Sequence, residues 1–104
     1  MVRFAGWALD LARRRLQSPD GTAVSLTTGE FELLLAFVDH PQRVLSRDQL
    51  LDFTRGRSAA PFDRSIDIQV SRLRRKIEPD SNAPELITTV RGGGYQFTPA
   101  VERS

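Results

Sequence analysis

Cysteine is absent from this sequence, and histidine occurs only once in 104 residues. The absence of cysteine excludes disulfides, zinc sites built on thiolates and cysteine nucleophiles. His40 stands beside Pro41 at the expected end of a helix, so a histidine-based metal site or acid–base pair has almost no residues to use. We therefore expect a protein that is not an enzyme and has no metal or cofactor.

Long hydrophobic runs are also missing, and the N-terminal residues lack the charged head and apolar centre of a signal peptide. We expect no membrane association and a cytoplasmic location. Hydrophobic residues make up 39% of the chain and charged residues 27%, which is ordinary for a globular protein. At this length the sequence predicts a single domain over residues 1–104 with one core.

Lysine is nearly absent: 14 of the 15 basic residues are arginine. Several of them fall in residues 64–78, RSIDIQVSRLRRKIE, which has the spacing of a helix packed against a core. The core stripe of this helix is predicted to contain Ile66, Val70, Leu73 and Ile77. Its opposite, exposed face is predicted to carry Arg64, Ile68, Ser71, Arg72 and Arg75.

Charge is concentrated on this helix. Residues 64–76 contain five basic side chains and one acidic one, Asp67, giving +4, whereas the whole chain carries +2 and the remainder therefore −2. A solvated amphipathic helix is one explanation of this pattern. Binding to a polyanion is the other, and it is favoured because arginine suits phosphates and guanine edges and because an exposed Ile68 suits a thymine methyl.

The N-terminal part, about residues 4–26, shows the alternation of short antiparallel strands, with a turn at residues 18–21, SPDG. Arg13, Arg14 and Arg15 form a second basic cluster there. A second nucleic-acid contact is possible for this cluster, but a solvated strand edge is the favoured interpretation.

Residues 27–78 predict three helices. The patterns T-x-x-E at Thr27–Glu30 and S-x-x-Q at Ser46–Gln49 are typical of capping boxes that open a helix. After the first box, a core stripe is predicted at Phe31, Leu34, Leu35 and Val38. Residues 55–61 read as a loop, after which Asp63 caps the basic helix. Two helices joined by a loop, the second of them basic, indicate a helix-turn-helix, with an ordinary three-helix core as the alternative.

Residues 86–98 predict a hairpin around Arg91, Gly92, Gly93 and Gly94, since adjacent glycines permit the positive φ angles of a tight turn. These glycines do not form a phosphate loop, because the GxxxxGK[ST] pattern is absent.

Four segments, LTTGEFELL, HPQRVLSRDQLL, DRSIDIQVSRLRRKIE and TVRGGGYQF, occur in this order between about Leu26 and Phe97. On these segments the chain resembles the DNA-binding effector domain of OmpR/PhoB-family response regulators, most closely the OmpR branch. The resemblance implies an α+β fold, a winged helix-turn-helix with an N-terminal four-stranded antiparallel sheet, three helices and a C-terminal β-hairpin wing. It implies sequence-specific binding of double-stranded DNA in transcription regulation by a two-component system.

The resemblance also assigns residue roles. The basic helix becomes the recognition helix, and the residues that face bases or nearby phosphates would be Ile68, Ser71, Arg72 and Arg75, with Arg72 the principal one. The residues that hold phosphate would be Arg47, Arg55, Arg64, Ser65 and Thr89, and Arg91 of the wing would enter the minor groove. Two departures are Gly93, which leaves the wing tip without a side chain, and Ser71, where some relatives carry a longer basic one.

Further partners are implied in the same way. The loop Arg55–Phe62 would meet RNA polymerase, and a second copy would bind beside the first on a direct-repeat operator. The family also has an N-terminal receiver domain that a sensor kinase phosphorylates, and no segment here corresponds to it, so we expect a part of a longer regulator. The alternative function is a winged-helix protein-interaction module with only weak, nonspecific DNA binding. RNA binding is less favoured, since the few aromatic residues are placed for a core.

Overall fold

The computed structural model describes residues 1–55, without the side chain of Arg55, and residues 66–103. These ranges contain three helices and two antiparallel sheets, with four strands before the first helix and three after the last, which confirms the α+β class. In chain order the elements are β1 (Val2–Phe4), β2 (Trp7–Asp10), β3 (Arg15–Gln17), β4 (Ala23–Val24), α1 (Thr28–Asp39), β5 (Val44–Leu45), α2 (Arg47–Arg55), α3 (Ile66–Ile77), β6 (Ile87–Val90), β7 (Gly94–Phe97) and β8 (Val101–Arg103). None of the described helices is both long enough and apolar enough to cross a bilayer.

The N-terminal sheet contains the four expected strands and a fifth that the sequence did not reveal. Its strand order is β4-β3-β2-β1-β8, so the C-terminal strand pairs with the first strand of the chain. Val2 lies opposite Arg103 and Phe4 opposite Val101. Strand β8 was not predicted, because three residues are too few to show an alternating pattern. The inner face of this sheet buries Val2, Phe4, Leu9 and Leu16.

Helix α1 is buried on almost every side. The Thr27–Glu30 capping box is confirmed, with both reciprocal hydrogen bonds present. Phe31, Leu34 and Val38 are buried as predicted, whereas Leu35 is only half-buried. The additional buried apolar residues of α1 are Leu33, Ala36 and Phe37. The helix packs against α2, α3 and β7, so it buries much more than one stripe.

An aromatic chain joins the two sheets through α1. The Phe97 ring of β7 lies 5.0 Å from the Phe4 ring of β1 and 6.0 Å from the Phe37 ring of α1, between ring centroids. All three rings are buried. The core is therefore continuous from the N-terminal sheet through α1 to the C-terminal hairpin.

The second and third helices follow the sequence prediction where they are described. Ser46 and Gln49 make the two bonds of a capping box at the start of α2. Ile66, Val70, Leu73 and Ile77 of α3 are buried, which confirms the core stripe. The predicted cap at Asp63 and the predicted helix start at Arg64 lie outside the described residues.

The C-terminal hairpin is confirmed, and it belongs to a three-stranded sheet of order β5-β7-β6. The short strand β5 was not predicted. It pairs Leu45 with Tyr95, immediately before the α2 capping box. At Gly94, where φ is +111°, an added Cβ would lie 2.2 Å from the Leu45 carbonyl oxygen, so β5 can approach the hairpin this closely only beside glycine. The hairpin is thereby fixed to the start of α2.

Candidate nucleic-acid interface

The outward face of α3 presents the side chains that the sequence assigns to base contacts. Ser71, Arg72 and Arg75 are exposed, and Ile68 is 50% exposed. The buried stripe on the opposite side of the same helix fixes this orientation. The structure therefore brings Ile68, Ser71, Arg72 and Arg75 together on one accessible surface, hereafter the α3 face.

Two of the positive charges counted on this helix do not join the α3 face. The Arg74 guanidinium donates to the Ile87 carbonyl oxygen from Nε at 2.9 Å and from a terminal nitrogen at 2.7 Å, and to Thr89 Oγ1 at 2.9 Å. The hydrogen-bond partners of Arg74 are thus a carbonyl and a hydroxyl of the hairpin strand β6. Arg74 therefore ties α3 to β6.

Lys76 is the second charge that is directed inward. Its Nζ donates to Glu30 Oε1 at 2.6 Å and to the Ser25 carbonyl oxygen at 2.7 Å. Burial alone would raise the pKa of Glu30, but the hydrogen bond from Lys76, the Thr27 amide and the Lys76 charge together hold it below its ordinary value. The last turn of α3 is therefore anchored to the first turn of α1.

Arg47, predicted to hold phosphate, lies at the first position of α2 and pairs with α3. Its Nε donates to Asp67 Oδ1 at 2.8 Å, and the two side chains are 56% and 50% exposed. The Tyr95 hydroxyl of β7 donates to the same carboxylate oxygen. Hydrogen bonds from Tyr95 and Arg47 lower the pKa of Asp67, and the same carboxylate raises the pKa of Arg47.

The ring of Tyr95 is the centre of this group. It is buried, and the guanidinium carbons of Arg47 and Arg74 lie 5.6 and 5.4 Å from its centroid, within reach of cation–π attraction. Burial and then the hydrogen bond to Asp67 raise the pKa of the Tyr95 hydroxyl. We call Arg47, Asp67, Tyr95 and Arg74 the junction cluster, because they join α2, α3 and the hairpin.

The hairpin places its two predicted contacts at its exposed edge. Thr89 is exposed on β6, and its hydroxyl accepts the bond from Arg74. Arg91 is exposed at the turn, where Gly92 has φ of +73° and the Gly93 amide closes the turn by donating to the Val90 carbonyl at 3.0 Å. The charged tip is thus connected to α3 through Thr89 and Arg74.

Some predicted site residues cannot be placed. Arg64, Ser65 and the loop residues 56–62 lie outside the described residues, and for Arg55 only the backbone, at the end of α2, is described. The basic cluster of the N-terminal part is exposed: Arg13 and Arg14 lie in the turn between β2 and β3, and Arg15 begins β3, which is an interior strand of its sheet. There Arg13 lies 3.9 Å from Asp10, and Arg14 lies over the Phe31 ring at 4.6 Å.

Sequence reasoning missed Asp67 and Tyr95 as organising residues of the site. One signal was available for Asp67, since it is the only acidic residue in the basic segment 64–76. No comparable signal marked Tyr95, whose partner Asp67 lies 28 residues earlier in the chain.

Comparison with known proteins identifies the family that the chain resembles. Residues 21–97 match the family model described as "Transcriptional regulatory protein, C terminal". The regulatory protein VirG of Agrobacterium fabrum is 54% identical over 101 residues, which cover 97% of this chain and 40% of VirG. The chain thus spans about 40% of the length of such relatives.

Solved structures agree with this assignment. The Klebsiella pneumoniae RstA DNA-binding domain, crystallised in complex with the RstA box, superposes with a TM-score of 0.80 at 35% identity, covering 94% of this chain and 96% of that one. The Thermotoga maritima response regulator DrrB, an OmpR/PhoB homologue, gives 0.78 at 31% identity, covering 92% of this chain and 43% of DrrB. The chain therefore belongs to the family of C-terminal domains of transcriptional regulatory proteins, of the OmpR/PhoB response-regulator type, and has their winged-helix fold.

Proposed function

We propose that this domain binds double-stranded DNA in a sequence-specific manner and thereby controls transcription as the effector part of a two-component response regulator in the cytoplasm. The observation that carries the proposal is the α3 face, where two arginines, a hydroxyl and an exposed isoleucine stand together beside an arginine-tipped hairpin. The RstA domain, with the same fold at 35% identity, was crystallised with its DNA box.

In this proposal α3 lies in the major groove and the hairpin reaches the adjacent minor groove. Arg72 reads bases together with Ile68, Ser71 and Arg75, because an arginine fork pairs with guanine and an apolar group contacts a thymine methyl. The residues that position the domain on phosphates are Arg47, Arg55, Arg64, Ser65 and Thr89. Arg91 enters the minor groove.

The finer partners are part of the same proposal. Two copies bind a direct-repeat operator, and the loop Arg55–Phe62 contacts RNA polymerase. A sensor kinase acts through a receiver domain elsewhere in the longer regulator. Support for this last point comes from the length of VirG, of which the matched part is 40%.

The first test is selection of bound sequences from a random duplex library at roughly physiological salt, where nonspecific phosphate binding is suppressed. Recovery of one motif, repeated about one helical turn apart, would support sequence-specific binding and the tandem arrangement. Recovery of no motif by a folded protein would contradict the proposal.

Arg72→Ala tests base reading on the motif so obtained. The substitution is expected to cost on the order of 1 to 3 kcal/mol of binding free energy on the preferred site and far less on random DNA, because a base contact contributes only where the base is right. Fluorescence anisotropy on both duplexes measures the two losses. Arg15→Ala, an exposed arginine on β3 of the N-terminal sheet, is the control and should change neither affinity. Equal losses on both duplexes for Arg72→Ala would contradict a base-reading role.

A further inference from the structure

The carboxylate of Asp67 lies where three elements of the proposed DNA surface meet. Asp67 is in the first turn of α3, next to Ile68 of the α3 face. It accepts a hydrogen bond from Arg47 at the start of α2 and another from the Tyr95 hydroxyl of β7. A half-exposed anion among side chains expected to face phosphates opposes binding by its charge alone, so its position requires a different explanation.

Stability does not supply that explanation. Asp67 and Arg47 are 50% and 56% exposed, and ion pairs as exposed as this contribute little to folding. The pair does, however, restrict Arg47. A free arginine side chain loses substantial rotamer freedom when it is immobilised on a phosphate, and a guanidinium already held at Nε loses less. More than half of the Arg47 side chain remains exposed, so the guanidinium stays accessible to DNA.

The Tyr95 hydroxyl orients the carboxylate in turn. The Tyr95 ring is buried and lies on β7, which pairs with β5 immediately before α2. The donor is thus fixed by the core and the sheet, whereas Asp67 and Arg47 are side chains at the surface. The order of positioning runs from Tyr95 to Asp67 and from Asp67 to Arg47.

We infer that Asp67 is a positioning residue for DNA recognition: it holds Arg47 ready for one phosphate of a correctly docked site, while its negative charge weakens binding to DNA of any sequence. This inference rests on the proposed function. The charge acts equally on all duplexes, whereas the positioning of Arg47 contributes most when the α3 face is docked on its operator. Asp67 therefore increases the ratio between operator affinity and affinity for arbitrary DNA.

Asp67→Asn tests the inference, since it keeps the shape of the side chain and removes its charge. The dissociation constants for the selected operator and for an arbitrary duplex of equal length are measured by anisotropy at several salt concentrations. We expect severalfold tighter binding to arbitrary DNA, with a log–log salt slope steeper by about one, and an affinity ratio that falls by about tenfold. An unchanged ratio would overturn the inference.

Glu102→Gln is the matched control. Glu102 is exposed on β8 of the N-terminal sheet, and the substitution changes the net charge by the same amount away from α3 and the hairpin. It should leave the affinity ratio unchanged. A fall equal to that of Asp67→Asn would mean that net charge alone is responsible, and it would overturn the positioning role.

Two further variants separate positioning from folding. Tyr95→Phe removes only the hydroxyl, so the affinity ratio should fall without tighter binding to arbitrary DNA. In an Arg47→Ala background, Asp67→Asn should lower the ratio no further, because the residue through which it acts is gone. A full additional loss would overturn the inference.

These outcomes are distinct from failure of the proposed function. If the wild-type domain selects no operator, the proposed function itself fails. If it selects an operator and the folded Asp67→Asn protein keeps the wild-type ratio, only the role of Asp67 fails.

Discussion

Two glutamates on α1 are buried but have different surroundings. Glu30 is 3% exposed, and its Oε1 accepts bonds from the Lys76 ammonium and the Thr27 amide. Glu32 is 1% exposed, its Oε2 has no hydrogen-bond partner, and Arg14 lies 3.9 Å from its Oε1. An unsatisfied buried carboxylate destabilises a fold, whereas a paired and hydrogen-bonded one is compensated.

Glu32→Leu is therefore expected to raise the free energy of unfolding, by about 1 kcal/mol or more, because an apolar side chain of similar size removes the desolvation penalty. The lost contact with Arg14 is small, since that arginine is 54% exposed and its guanidinium still lies over the Phe31 ring. Urea denaturation measures the change. Glu30→Gln is the contrasting variant and should be less stable than the wild type. A destabilised Glu32→Leu protein would show that the carboxylate has a role that the contacts do not explain.

At the scale of elements, α3 is fixed to its neighbours by charged side chains. Asp67 connects its first turn to α2 and β7, Arg74 connects its third turn to β6, and Lys76 connects its last turn to α1. The apolar stripe fixes which face of α3 is buried, and these polar contacts fix its position along and across the core. As the proposed recognition helix, α3 would therefore meet DNA as a rigid unit, and little conformational freedom would be left for it to lose on binding.

The anchor between α3 and α1 should depend on pH. The folded-state pKa of Glu30 lies below its ordinary value of 4.5, so its contribution to stability is present above that value and is lost as the pH falls through the lowered pKa. We expect the stability difference between wild type and Glu30→Gln to be constant near neutral pH and to shrink at pH values below about 4.5. Thermal unfolding of both proteins from pH 7 to pH 3 measures it. A difference that stays constant over this range would refute the anchor.

For the whole molecule, the distribution of charge matters more than its sum. The net charge is only +2, yet arginines 47, 72, 75 and 91 all lie on or beside the α3 face and the hairpin tip. Arg74 and Lys76 are turned toward protein partners, so the basic surface is narrower than the sequence suggested. Strong but localised electrostatic attraction to DNA is the expected consequence.

The salt dependence of DNA binding tests whether this localised positive charge attracts DNA. With Arg47, Arg55 and Arg64 on phosphates and Arg91 in the minor groove, the slope of log binding constant against log salt should be about −3 to −4 for a duplex containing the operator. Arg91→Ala should make the slope shallower by about one, and Arg15→Ala should leave it unchanged. Titrations between low and physiological salt give the values. A slope near zero would favour a protein-interaction module over a DNA-binding domain.

Local patterns explain how much of the fold was predictable. The two capping boxes, the core stripe of α3 and the hairpin around the glycines are set by neighbouring residues, and each is confirmed. The short strands β5 and β8 were not predicted, because two or three residues carry no periodicity and pair only with distant segments. Helix α1 is buried on more faces than its predicted stripe, because α2, α3 and β7 all pack against it.

Residue spacing alone is enough to predict which face of α3 is exposed, because 3.6-residue periodicity places Ile68, Ser71, Arg72 and Arg75 opposite the core stripe wherever the helix packs. Which charged side chains stay on that exposed face depends instead on how the elements pack against one another. Arg74 and Lys76 take partners 13 and 46 residues away in the chain, and such partners meet only when separate elements pack together. Residue types and spacing show which charged and polar side chains a surface can offer, whereas the packing of the elements decides which of these side chains are bound to protein partners instead.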